Sequence, residues 1–87
     1  MDSYRIEWKS SAIRELKSLP KEVVPKITQI VGDLSANPYP HGVKKLSGSE
    51  HTFRIREGSY RVVYRITKSS SLIEIIRIGH RKDVYVR

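Results

Sequence analysis

The sequence predicts an α+β domain: an N-terminal strand, then an α-helical hairpin packed on one face of a mostly antiparallel four- to five-stranded sheet. Three observations carry that prediction. Apolar residues recur at helical spacing between positions 12 and 34, then alternate with polar ones further on. The change of period falls at Asn37-Pro38-Tyr39-Pro40-His41-Gly42, a run of turn formers. Finally, Glu57-Gly58-Ser59-Tyr60 places glycine first in a two-residue loop, as a type II′ hairpin turn prefers.

Taken in order, Tyr4, Ile6 and Trp8 alternate with polar residues and open the chain as a short strand. Ser10 or Ser11 is placed to cap a helix running to about Leu19, with Ala12, Ile13, Leu16 and Leu19 on one side. Pro20 suits the first turn of a second helix, where a missing N–H costs nothing. Val23, Val24, Ile27, Ile30, Val31 and Leu34 give that helix an apolar stripe. Residues 43–46 read as a short edge strand before the Ser47-Gly48-Ser49 turn. Residues 52–57 and 60–67 form a hairpin, and residues 72–78 a central strand apolar on both sides. His80–Arg87 follows as a short polar tail, and Trp8 and Phe53 are read as core.

The 87 residues make one domain, 1–87, since a second core would need roughly 50 more. Cysteine is absent, which excludes disulfides, thiol catalysis and Cys-type zinc sites. The three histidines lie ten or more positions apart, without metal-motif spacing, so neither a metal nor a cofactor is expected. No apolar run reaches the roughly 18 residues of a spanning helix, and Met1-Asp2-Ser3 does not open a signal peptide. The expected location is the cytoplasm.

Charge is distributed unevenly. The formal net charge is +8, yet residues 1–43 carry six Lys/Arg against five acids, while residues 44–87 carry eleven against four. Such asymmetry points to a polyanionic partner: nucleic acid, an anionic membrane surface or an acidic protein. The plainer reading is a basic surface that serves solubility.

The hairpin register makes the charge specific. Pairing outward from the turn sets Phe53, Ile55, Val62 and Tyr64 on one face, as a floor for the helices. Arg54, Arg56, Arg61 and Arg65 surround Val63 on the other, with Glu74 expected nearby in the next strand. Like charges directly opposed destabilise a sheet by some tenths of a kcal/mol, so four guanidinium groups on one face favour no fold by themselves. A phosphate turns that repulsion into charge-assisted, often bidentate hydrogen bonds. A solvated strand face, with arginine stems covering apolar surface, is the competing reading. The tail adds His80, Arg81, Lys82 and Tyr85: an imidazole, two cations and a ring able to stack on a base.

These residues resemble the RelE/ParE superfamily of bacterial and archaeal toxins, particularly the RelE branch. The resemblance is carried by Phe53-Arg54-Ile55-Arg56, by Gly58-Ser59-Tyr60-Arg61-Val62-Val63-Tyr64, and by Ile75-Ile76-Arg77-Ile78-Gly79-His80-Arg81-Lys82-Asp83-Val84-Tyr85. It implies a RelE-like fold and an mRNA interferase that enters the ribosomal A site and cuts the codon there without a metal. The ribose 2′-OH would attack the adjacent phosphate, leaving a cyclic or 3′ phosphate and a 5′-OH. The implied partners are the ribosome, mRNA and a cognate acidic RelB-like antitoxin, bound as a heterodimer or heterotetramer. Membranes are not implied.

By the same resemblance, Arg61 and Arg81 hold the scissile phosphate, and Tyr85 stacks on or orients the codon base. Arg54 and Arg56 stand where the best-known RelE enzymes carry lysines. That departure matters chemically, because arginine stays protonated and accepts protons poorly. His80 is then a candidate acid or base, its pKa expected to be lowered by surrounding cations. Positioning and electrostatics from arginine and ribosomal RNA are the other source of catalysis. Arg65, Lys44, Lys45 and Lys82 are expected on the RNA backbone. The alternatives are a ParE-type gyrase inhibitor and a catalytically weak homologue that only binds RNA or antitoxin. A peripheral membrane protein fits poorly, because both helices have core-facing patterns.

Overall fold

The structure is a computed structural model, and residues 3–80 are described. The elements are β1 (Arg5–Trp8), α1 (Ser10–Lys17), α2 (Val24–Leu34), β2 (Lys44–Lys45), β3 (Thr52–Glu57), β4 (Tyr60–Thr67), a 3₁₀ turn (Lys68–Ser70) and β5 (Leu72–His80). They form one five-stranded sheet in the order β1-β5-β4-β3-β2, with only the β1–β5 pair parallel. Both helices lie on one side, as the α+β prediction requires.

The helix side holds the core. Ala12, Ile27, Val31 and Leu34 meet Ile55, Val62, Tyr64, Ile66, Ile73, Ile75 and Ile78 in one buried cluster. Ile6 and Trp8 of the first strand, with Tyr4 just before it, pack against it, which is why that segment alternates. Trp8 and Phe53 are half-buried at the margin of the core rather than enclosed within it. Ile13 points outward at 37 % exposure, so helix α1 buries a narrower stripe than its apolar residues suggest.

The first strand is tied down at both ends. The Tyr4 N–H donates to the Ser35 carbonyl at 2.8 Å, and the Ser35 hydroxyl returns a bond to the Tyr4 carbonyl at 2.7 Å. Lys9 N–H donates to the Ile75 carbonyl at 3.0 Å. A marginal four-residue strand is thereby fastened to the end of α2 and to β5.

Several boundaries differ from those read in the sequence. The cap position of α1 is Lys9, which has no side-chain cap bond, so neither Ser10 nor Ser11 caps the helix. Helix α2 starts at Val24, with Pro25 filling the early position expected of Pro20; residues around Pro20 instead make the turn between helices. The edge strand shrinks to Lys44–Lys45. Strand β5 extends two residues further, taking in His80.

The most consequential difference lies inside β5. Tyr64 pairs with Ile75, but Val63 pairs with Arg77, so Ile76 is the extra residue of a β-bulge. Ile73 and Ile75 face the helices before the bulge and Ile78 faces them after it. The strand is therefore not apolar on both sides: Glu74 belongs to the far side by register, and Arg77, at the uncovered edge of β5, reaches round to the Glu15 carboxylate of α1 at 3.7 Å.

Candidate functional site

Among the described residues, the far side of the sheet carries no helix, and the hairpin fills it with cations. Gly58 sits at φ +59°, where a side chain is disfavoured, and this turn sets the register of everything beyond it. Arg56 opposes Arg61, Arg54 opposes Val63, and Thr52 opposes Arg65, as the turn chemistry predicts. Neighbouring strands complete three rows across the sheet. Lys44, Arg54, Val63 and Arg77 form one, Arg56, Arg61 and Gly79 the second, and Thr52, Arg65 and Glu74 the third. Lys44, Arg54, Arg56 and Arg61 thus lie in adjacent rows on one surface.

These cations are not equally open. Arg56 and Arg65 are exposed, whereas Arg54 is 8 % and Arg61 2 % exposed. The sequence reading expected an open face. Instead, two guanidinium side chains lie buried on it with Val63, itself 5 % exposed, and the Nε and Nη1 atoms of Arg61 are enclosed. Taking a cation out of water carries a desolvation cost, so such burial fits a site of defined geometry better than a solvated surface.

The acids on this face gather at the opposite edge. Glu7 and Glu74 are register neighbours on β1 and β5, and Arg5 approaches Glu7 at 3.3 Å in an exposed pair. A surface pair of this kind contributes little to stability. The surface is polarised, with acids towards β1 and cations towards β2, β3 and β4.

Two predicted site residues stand elsewhere. Lys45 pairs with Phe53, which puts it on the helix side, away from Lys44. His80 pairs with Tyr60, and their rings meet edge-on at 5.8 Å between centroids. Tyr60 packs against the helix-side core, and His80 lines a pocket there with Glu15, Ser18 and Leu19. Because Arg61 faces Gly79 instead, His80 and the arginines occupy opposite faces. Arg81, Lys82 and Tyr85 lie outside the described residues.

One neighbour of the arginines was not singled out from the sequence. A shallow pocket of about 280 Å³ is lined by His41, Gly42, Lys44, Arg54, Ile55 and Arg56. His41 arrives through a turn closed by the Val43 N–H donating to the Pro40 carbonyl at 3.1 Å, with Gly42 at φ +89°. The available signal was Pro-His-Gly placed immediately before the strand that flanks Arg54. A separate groove of about 570 Å³ lies at the other end of the hairpin, around Tyr39, His51, Phe53, Arg65 and Lys68.

Comparison with known proteins locates this architecture. Residues 6–85 match the family described as the ParE toxin of the type II toxin-antitoxin system, parDE. Toxin RelG of Mycobacterium tuberculosis is 33 % identical over 85 residues, covering 97 % of this chain and 98 % of that protein. Among solved structures, the toxin-antitoxin complex RelBE2 of the same organism aligns with a TM-score of 0.81 and 32 % identity, over 93 % of this chain and 94 % of its counterpart. The RelE-RelB complex of Pyrococcus horikoshii aligns with a TM-score of 0.80 and 29 % identity, over 90 % and 94 %. With its helical hairpin, its five-stranded mixed sheet and these full-length matches, the chain belongs to the RelE/ParE superfamily of type II toxins and is RelE-like.

Proposed function

We propose that this toxin is an mRNA interferase that cleaves ribosome-bound message by attack of a ribose 2′-OH on the adjacent phosphate. The observation that carries the proposal is the convergence of Lys44, Arg54, Arg56 and Arg61 from three strands onto the surface of the sheet opposite helices α1 and α2. Guanidinium forks match a phosphate bidentately and stabilise charge that grows on its oxygens as the bond to the attacking oxygen forms. Arg61, enclosed and adjacent to Arg56, is suited to hold the scissile phosphate in one orientation. Arg65 extends the cationic track along β4, where a flanking phosphate of the same strand would lie.

Arg81 and Tyr85, by family resemblance, would add a second phosphate contact and a stacking ring, and Lys82 a backbone contact. The ribosome and mRNA are then the working partners, in the cytoplasm. An acidic RelB-like antitoxin would neutralise the +8 chain in a heterodimer or heterotetramer, in keeping with the antitoxin complexes formed by its structural relatives.

Primer extension on message loaded in ribosomes tests the proposal. Purified toxin should cut within the A-site codon, and Arg61→Lys should cut far less. A message left intact at every toxin concentration, or inhibition of DNA gyrase in its place, would overturn it.

A further inference from the structure

Attack by a 2′-OH requires that its proton go somewhere, and the arginines of the cationic surface cannot take it. Arg54 and Arg56 remain protonated under any physiological condition, and His80 lies on the opposite face, against Tyr60. Among the described residues, the other titratable groups on the cationic face are poorly placed. Glu74 lies in the row of Arg65, two rows from Arg61, and Glu7 is further out at the β1 edge. Lys44 is a cation itself, in register with Arg54.

His41 differs from all of these. It lines the pocket formed with Lys44, Arg54 and Arg56, so it stands among the groups that would hold the phosphate. It is exposed, and a turn closed by the Pro40 carbonyl and the positive φ of Gly42 fixes its position ahead of β2. Among the side chains lining that pocket, the imidazole is the one whose charge ordinarily changes near neutral pH.

We infer that His41 is the proton acceptor for the attacking 2′-OH, an inference that rests on the mRNA-cleaving function proposed above. In the step, the 2′-OH proton passes to the neutral imidazole as the O2′–P bond forms. The P–O5′ bond breaks, and the departing 5′-oxygen takes a proton from water. The products are a 2′,3′-cyclic phosphate and a 5′-OH, and the imidazolium returns its proton to the hydroxide left by that water. Lys44, Arg54 and Arg56 neutralise the phosphate while the imidazole takes the proton.

The test is single-turnover cleavage of ribosome-bound message across pH 5 to 9, with wild-type toxin, His41→Ala, His41→Gln and Glu74→Gln. The wild-type rate should rise about tenfold per pH unit on the acid side and then level off. His41→Gln should lose about 10²-fold or more in rate and lose that slope, with ribosome binding retained. His41→Ala should recover activity when free imidazole is added, a response that a merely structural role would not produce. Glu74→Gln should keep the wild-type profile. Wild-type cleavage with unchanged rates and slope in His41→Gln overturns the role of His41 and leaves the interferase function standing. Transfer of the slope's loss to Glu74→Gln does the same. Failure of the wild-type toxin to cleave overturns both.

Discussion

Arg56 on β3 and Arg61 on β4 stand directly opposite one another across the hairpin, yet Arg56 is open to solvent and Arg61 is 2 % exposed. Two like charges at such a pair oppose folding, and the phosphate site proposed above gives a reason to keep them. Arg56→Gln should therefore stabilise the domain by about 0.2–1 kcal/mol at low ionic strength while lowering cleavage. Added salt should shrink the stability gain, because the exposed partner is screened. Denaturation midpoints at two salt concentrations, set beside cleavage rates, check both halves.

Arg61 should behave differently. Its stem is packed and its head enclosed, so Arg61→Ala removes packing as well as charge and is expected to destabilise by about 1–3 kcal/mol. Arg61→Lys separates the two roles: it retains the charge and much of the stem but loses the planar fork. It should melt close to wild type and still cleave poorly. Equal melting of wild type and Arg61→Ala would show that the burial contributes nothing.

What the sequence could reveal depended on the range of the interactions involved. The Gly58 turn is local, and the whole arginine register followed from it because a two-residue loop fixes pairing outward without further information. The bulge at Ile76 depends on how β4 and β5 are aligned, and nothing in the Ile75-Ile76-Arg77-Ile78 run marks which residue is extra. Proximity along the chain groups His80 with Arg81, Lys82 and Tyr85 as an extension of the arginine face, although the register after the bulge puts it opposite Tyr60, on the other face from Arg61. His41 was passed over because the Pro-His-Gly run marks a turn without saying where its imidazole lands; its place beside Lys44, Arg54 and Arg56 is a tertiary property. Burial of Arg54 and Arg61 is a tertiary property that strand patterning, which reads charge as exposure, does not register.

The edge of β5 gives a further prediction. Strand β1 covers β5 only from Leu72 to Ile75, and beyond that the Ile78 N–H is bound by the Glu15 carboxylate at 2.8 Å. The same carboxylate lies 3.7 Å from Arg77, a partly exposed contact of little weight. Glu15→Ala should destabilise by about 1.5–3 kcal/mol, the range for a bond to a charged group. Glu15→Gln, which keeps an acceptor, should lose less. Hydrogen exchange at the Ile78 amide should accelerate most in the alanine variant, and an unchanged rate there would show that the bond does not hold the edge.

Gly58 offers a test of the turn itself. At φ +59° an alanine pays the left-handed penalty, about 1–2 kcal/mol. Gly58→Ala should lower stability by that amount, and because Arg56 and Arg61 flank the turn, cleavage should fall with it. Gly32 lies in a helix with nothing within 4 Å of an added Cβ, so Gly32→Ala serves as the contrasting substitution and should stabilise α2 by about 0.5–1 kcal/mol.

Tyr64 links the core to the loop that carries His41. Its hydroxyl donates to the Pro38 carbonyl at 2.8 Å, and burial, followed by the neighbouring Tyr39, pushes its ionisation well above the ordinary phenol range. In the unfolded chain the same group ionises near pH 10, so above that pH the folded state holds a proton that the unfolded state has lost. The stabilisation is complete below about pH 10 and declines as pH rises from there towards the folded value. Tyr64→Phe should cost about 1 kcal/mol at neutral pH through the lost hydrogen bond, and it removes this alkaline dependence. The stability gap between wild type and Tyr64→Phe should therefore hold steady up to about pH 9 and narrow above about pH 10. Urea midpoints between pH 7 and 11.5 measure it. A gap that stays constant to the end of that range would mean that the phenol is not held protonated by burial.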